Sequence, residues 1–154
     1  MIQATLCFLI NKQSGEVLLG MKKRGFGSGK YNGFGGKVTP DETVEESVVR
    51  ELQEECGVTV KNLKKKGVLD FFFSEKKEWD QTVHVFVTED WDGEPIESEE
   101  MAPKWFKYED IPFHTMWSDD PHWLPSVLKD KNIKAEFTFG SDNESIVDMN
   151  VKEE

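Results

Sequence analysis

Apolar residues along this chain fall mostly into short runs, and at one place they recur with helical spacing. Ala4 to Ile10 is an apolar run, Asn11 to Glu16 carries turn chemistry around Ser14-Gly15, and Val17 to Met21 resumes the apolar pattern, so a hairpin is predicted. Val68 to Phe73 and Thr82 to Thr88 are β-branched and aromatic runs on either side of a charged connector, Ser74 to Asp80, and they should pair as strands. Lys104 to Lys107 reads as a further short strand, Pro121 to Asp130 as a helix, and Ala135 to Phe139 with Ser145 to Val151 as a closing hairpin.

The longest periodic segment is Thr43 to Cys56, where Val44, Val48, Leu52 and Cys56 recur every four residues and Gly57 is placed to cap the end. Its start has two candidates. Thr39 to Glu42 and Thr43 to Glu46 both fit the S/T-x-x-E capping box, with Thr43 favoured as N-cap. Strands mixed with only two helices predict an α+β domain, an α/β/α sandwich with a mixed sheet between helices. No repeat or linker divides it, so residues 1–154 are read as one domain.

Lys22 to Gly36 departs from both periodicities. It holds six of the twelve glycines, which suits a loop whose backbone approaches something closely. It contains neither a P-loop nor a Rossmann fingerprint. Basic residues gather around it, Lys22, Lys23, Arg24, Lys30 and Lys37, in a chain whose net charge is −11. That overall charge argues against a duplex nucleic-acid partner, because such binding rests on neutralising phosphates, while the basic island is a first sign of a smaller phosphate ligand.

Two cysteines, Cys7 and Cys56, make no disulfide framework and no zinc spacing, and they are expected reduced and packed. No apolar run approaches the roughly 20 residues that span a bilayer, and the start shows no basic leader pattern. A cytoplasmic monomer without a membrane partner is expected, with nucleus and mitochondrion left open. Lys64-Lys65-Lys66 is read as a solvated turn rather than an import signal.

On the helix, Glu51, Glu54 and Glu55 lie at i, i+3 and i+4 and should converge on one face near its C-terminus, with Arg50 beside them and Glu42 upstream. Like charges at that spacing, and anions at that end of the macrodipole, are both unfavourable. Taken alone, a solvated acidic face is the commoner explanation; a hard divalent cation is the functional one.

The surrounding residues change that balance. Gly36, Glu42, Arg50-Glu51-Leu52, Glu54-Glu55 and Gly57-Val58 match, without gap or substitution, the pattern G-x5-E-x7-R-E-U-x-E-E-x-G-U, where U is a bulky aliphatic. The chain resembles the Nudix hydrolases. Beyond the box, Gly20 to Gly27, Asn32 to Val38 and Met116 to Asp120 look like the animal MutT homologues within that superfamily. The resemblance implies a Nudix fold and Mg²⁺-dependent hydrolysis, with Mn²⁺ as a possible substitute. The implied substrates are oxidised purine nucleoside triphosphates such as 8-oxo-dGTP and 2-oxo-dATP, the products a monophosphate and pyrophosphate, and the role sanitation of the nucleotide pool.

Carried over position by position, the resemblance makes Arg50, Glu51, Glu54 and Glu55 catalytic. It places the metal on Gly36, Glu51, Glu54 and Glu55 with Glu100 from a loop. Lys22 is expected to face the phosphates, and Phe26, Asn32, Phe71, Trp117, Asp119 and Asp120 to line the base pocket. Cys7, Phe34, Gly35, Gly36 and Lys37 complete the implied substrate contacts. Cys7 stands where the family's best-known members have threonine, Tyr31 where they have tryptophan, and the connector near Trp79 to Thr82 is one residue longer. How the three glutamates divide their work is open. So are two rival functions: another nucleoside diphosphate-linked substrate of the same box, and a nucleotide-binding module without catalysis, which should have lost a box carboxylate. None is lost here.

Overall fold

The computed structural model describes residues 1–154. Its elements in chain order are β1 (Ile2–Asn11), β2 (Glu16–Lys22), β3 (Tyr31–Asn32), α1 (Val44–Cys56), β4 (Thr59–Phe73), β5 (Gln81–Asp92), β6 (Met101–Lys107), α2 (Asp120–Leu128), β7 (Ile133–Phe139) and β8 (Ile146–Glu153). The strands form one mixed sheet in the order β3-β2-β1-β5-β4-β7-β8, with β6 on β2. β1 runs parallel to β5 and β4 parallel to β7; the β1–β2, β4–β5 and β7–β8 pairs are antiparallel.

The two-residue period of the strands sorts their side chains to two faces. Ala4, Phe8 and Ile10 of β1 join Val83, Val85 and Val87 of β5 in a core that receives Trp123, Leu124 and Val127 of α2. Cys7 and Leu9 point the other way, into a second core with Phe34, Phe86 and Val48, Leu52 and Cys56 of α1. A helix therefore covers each face, and the expected α/β/α layering is present.

Thr43 is the N-cap of α1: its side chain accepts from the Glu46 N–H at 3.1 Å, and Glu46 accepts from the Thr43 N–H at 2.8 Å. The rival start forms a weaker echo, with the Thr39 N–H donating to Glu42 at 3.0 Å. Gly57 ends the helix in the left-handed region at φ 74°.

Three expectations need correcting here. β4 begins at Thr59, so Lys64-Lys65-Lys66 lies within a strand rather than a turn. Irregular pairing at Val60/Asn62, Asn62/Lys64 and Lys65/Gly67 hides the alternation that would have marked it. Lys66 is buried and ion-paired with Asp130. The connector 74–80 contains a 3₁₀ turn, Lys77–Trp79, and β3 interrupts the glycine-rich loop.

β2 pairs with β1 only over Leu9 to Asn11. The N-terminal half of β1 takes residues 34–37 as its neighbour instead, through bridges Cys7↔Phe34 and Ala4↔Lys37. This exchange of partners sets the Gly35-Gly36 backbone between β1 and α1.

Candidate active site

Gly35 and Gly36 are where side chains could not be added. A Cβ on Gly35 would stand 1.9 Å from the Thr5 carbonyl oxygen, and one on Gly36 would stand 2.6 Å from Oε1 of Glu51. The Gly36 carbonyl accepts the Thr5 N–H at 2.9 Å and, weakly, the Thr5 hydroxyl at 3.5 Å. The Gly35 N–H donates to Oε1 of Glu55 at 2.8 Å. The backbone thus comes within hydrogen-bond distance of the acidic helix face.

Arg50 organises that face. Its Nε and Nη2 hold Glu42 at 3.0 and 2.7 Å, Nη1 reaches Glu51 at 3.0 Å and Glu54 at 3.3 Å, and Nη2 also donates to the Lys37 carbonyl at 3.3 Å. The guanidinium holds Glu42 down to about 2. Arg50 itself does not line the cavity; its contacts are to Glu42, Glu51, Glu54 and the Lys37 carbonyl.

A cavity of about 450 Å³ opens beside α1, lined by Glu51 and Glu55 together with Glu100, Lys22, Gly35 and Gly36. Glu55 is only 7% exposed. Burial, then the charge of Glu51, push it up to about 8, against the pull of the Gly35 N–H. Glu51 is also raised, first by burial. Arg50 compensates Glu51 from one side only, and oxygen-only donors from two carboxylates and the Gly36 carbonyl suit a hard divalent ion. The residues fit the implied Mg²⁺ in chemistry, although no three acidic, thiol or imidazole side chains are gathered on one point. Glu54 departs from the expected convergence: its side chain is 59% exposed, faces Arg50 and does not line the cavity.

Elsewhere the cavity wall is aromatic and acidic. Phe26, although 60% exposed, stacks on Trp117 at 5.1 Å and meets Trp79 edge-on at 5.2 Å. Phe71, whose neighbours Phe137 and Phe139 stack on it at 5.7 Å each, lines the cavity with Asn32, Asp119 and Asp120. Asp119 occupies the N-cap position of α2 but makes no capping bond; its Oδ2 accepts from the Trp123 indole at 2.8 Å. Both aspartates are buried, which raises both; the charge of Asp119 pushes Asp120 further, well above the usual carboxylate range. Burial and mutual repulsion therefore favour holding a proton on the pair, more strongly on the Asp120 side.

Three expected substrate contacts are not in the wall. Cys7 lies at an odd position of β1 and is fully buried on the α1 face, where burial pushes its thiol up. Phe34 is its bridge partner and fills the same core. Lys37 is exposed outside the cavity. The basic island also divides: Lys23 pairs with Glu97, Arg24 with Glu99 and Glu100, and only Lys22 and Lys30 line the cavity. Of the basic island the sequence singled out, Lys30 does reach the cavity, while Trp123, Phe139 and Asn143 were missed. Trp123, four residues after Asp119 on one helix, was recoverable from spacing; Asn143 sits in a turn with no periodic signal.

Residues 2–127 match the family described as NUDIX domain. The chain belongs to that family and is a Nudix hydrolase. It is 44% identical over 149 residues to a Mus musculus protein named oxidized purine nucleoside triphosphate hydrolase, covering 97% of this chain and 93% of that one. A Danio rerio protein of the same name is 49% identical over 134 residues, covering 87% and 85%. The crystal structure of the mutator MutT protein from Bacillus halodurans superposes with a TM-score of 0.85 at 27% identity, covering 99% of this chain and 98% of that chain.

Proposed function

We propose that the protein hydrolyses oxidised purine nucleoside triphosphates, such as 8-oxo-dGTP and 2-oxo-dATP, to the monophosphate and pyrophosphate, and so clears them from the nucleotide pool. One observation carries the reading: a single cavity joins a carboxylate cluster on the Nudix helix to a wall of stacked aromatics with a buried aspartate pair. The first suits a metal-bound phosphate chain and the second a flat base with donors and acceptors on its edge.

In this reading Glu51, Glu55 and Glu100, with the Gly36 carbonyl, hold Mg²⁺, for which Mn²⁺ substitutes. When bound, Mg²⁺ supplies charge neutralisation and polarisation of a phosphoryl oxygen. Lys22, which makes no ion pair within the chain, adds a positive charge for the phosphates. Buried Glu55 and half-buried Glu51 are the carboxylates that accept the proton of an attacking water. Arg50 fixes the orientation of Glu51, and Glu54 assists through Arg50. Phe26 and Trp117 stack the base, while Asn32, Asp119 and Asp120 read its edge and Phe71 closes the floor. The names of the mouse and zebrafish relatives support this substrate class.

A monomer acting on a small nucleotide suffices for every contact named. No helix is long and apolar enough to cross a membrane. The free, buried thiols of Cys7 and Cys56 fit a reducing compartment, the cytoplasm first.

The test is a panel of normal and oxidised nucleoside triphosphates with Mg²⁺ and product analysis. The reading expects oxidised purines to be preferred and pyrophosphate released; equal turnover of pyrimidines, or orthophosphate as the product, overturns it.

A further inference from the structure

Four buried side-chain polar atoms have no partner within the chain, on Ser47, Tyr108, Asp120 and Asn143. Only Asp120 and Asn143 also line the cavity. A buried polar atom without a partner is destabilising, so one at a cavity wall is where a ligand would complete the bonding. Asp120 belongs to the base-reading pair already described. Asn143 does not: it comes from the β7–β8 turn, beyond the matched family region that ends at residue 127.

The turn is built to hold Asn143 in place. Asn143 sits in the left-handed region at φ 58°, a conformation asparagine tolerates better than most residues. Its N–H donates to the Gly140 carbonyl at 3.0 Å, and the Gly140 N–H donates to Ser145 at 2.9 Å. Asp142 accepts from the N–H groups of Glu144 and Ser145 at 3.0 and 2.7 Å. Two further contacts tie the turn to the base wall. Ser118, next to Trp117, donates to the Glu144 carbonyl at 2.5 Å, and the Glu144 carboxylate pairs at 3.1 Å with Lys30. That ammonium lies 4.9 Å from the Trp117 ring centroid. A turn latched to the residues on either side of the stacking platform, with its carboxamide left unpaired, is organised before substrate arrives.

We propose that Asn143 is a specificity-determining residue, whose carboxamide hydrogen-bonds a polar group on the edge of the bound purine alongside Asp119 and Asp120. The inference rests on the purine reading of the cavity. A carboxamide offers both an acceptor and donors, so it complements oxo and amino groups alike.

The test uses Asn143→Gly, which keeps the left-handed turn at no steric cost and removes the carboxamide. Binding of 8-oxo-dGMP and 2-oxo-dAMP to wild type and variant is measured by calorimetry, with pyrophosphate plus Mg²⁺ as a ligand lacking a base, and melting temperature alongside. Asn143→Gly should weaken at least one purine nucleotide about tenfold, the loss expected for one buried hydrogen bond, and leave pyrophosphate affinity and melting temperature unchanged. Unchanged purine affinity in the variant, or an equal loss for pyrophosphate, overturns the Asn143 assignment while the purine reading stands. If the wild type binds neither purine nucleotide, the purine reading falls and this assignment with it.

Discussion

The indole N–H of Trp123 donates to Oδ2 of Asp119 at 2.8 Å, one turn along α2, and both residues are buried in the cavity wall. The bond favours ionised Asp119 and breaks the symmetry of the aspartate pair, because Asp120 has no such donor and its Oδ2 is unpartnered. A hydrogen bond to a charged, buried acceptor contributes about 1.5 to 3 kcal/mol. Trp123→Phe and Asp119→Asn should therefore be coupled by about that amount in a double-mutant cycle of denaturant unfolding, partly offset because asparagine still offers an acceptor. Additive single effects would mean that the contact contributes no net stability.

Glu55 makes the metal-free protein sensitive to pH. Its folded value, about 8, lies above that of the unfolded chain, so the folded state holds the extra proton. The resulting stabilisation is complete below the unfolded carboxylate value of roughly 4.3 and is lost as pH rises through about 8. Melting temperature in excess EDTA should fall across that window, less steeply in Glu55→Gln, and Mg²⁺ should restore stability at the alkaline end. Activity should vanish in EDTA, and kcat should drop by orders of magnitude in Glu55→Gln while the fold survives. A variant with the wild-type slope, or turnover in EDTA, would remove the metal-cluster account.

Lys22 lines the cavity near Glu55, whose value its charge lowers, and no carboxylate of the chain holds it in an ion pair. An ammonium is a point charge without the fork geometry needed to read a base edge. Lys22→Ala should weaken kcat/KM for all triphosphates by similar factors. A loss confined to one base would place the side chain against the purine instead.

How much of this was legible depended on where the information sits along the chain. Helix α1, its Thr43 cap and the cavity-lining Glu51 and Glu55 lie in one contiguous segment whose period, caps and box agree, so the helix and its caps were legible in the sequence. Glu54 did not converge because Arg50, four residues earlier, draws it to the solvent side. Cys7 and Phe34 were misplaced by strand parity: the odd positions of β1 face α1, and a resemblance in sequence does not say which face a residue takes. The base wall draws on a glycine-rich loop, β3, β4, α2 and the β7–β8 turn, and only topology brings those together. Asn143 gave no signal because turn positions have no period, whereas Lys30 showed only as one member of a basic cluster.

The aspartate pair also bears on how one wall could serve two damaged purines. Asp119 and Asp120 are 4% and 3% exposed, and burial together with the charge of Asp119 raises Asp120 well above the usual carboxylate range. A protonated carboxyl donates to a base acceptor, an ionised one accepts from a ring or amino N–H, and moving one proton across the pair exchanges those roles. Asp120→Asn fixes the more strongly raised carboxyl as neutral, whereas Asp119→Asn neutralises the side that accepts the Trp123 indole N–H. The two substitutions should consequently shift the ratio of kcat/KM for 8-oxo-dGTP over 2-oxo-dATP in different ways, by about 1 to 3 kcal/mol for each mismatched bond. Steady-state kinetics of both variants over pH 6 to 9 would measure it. Retention of the wild-type ratio by both would leave the pair as a buried structural contact of α2, with base choice made elsewhere in the wall.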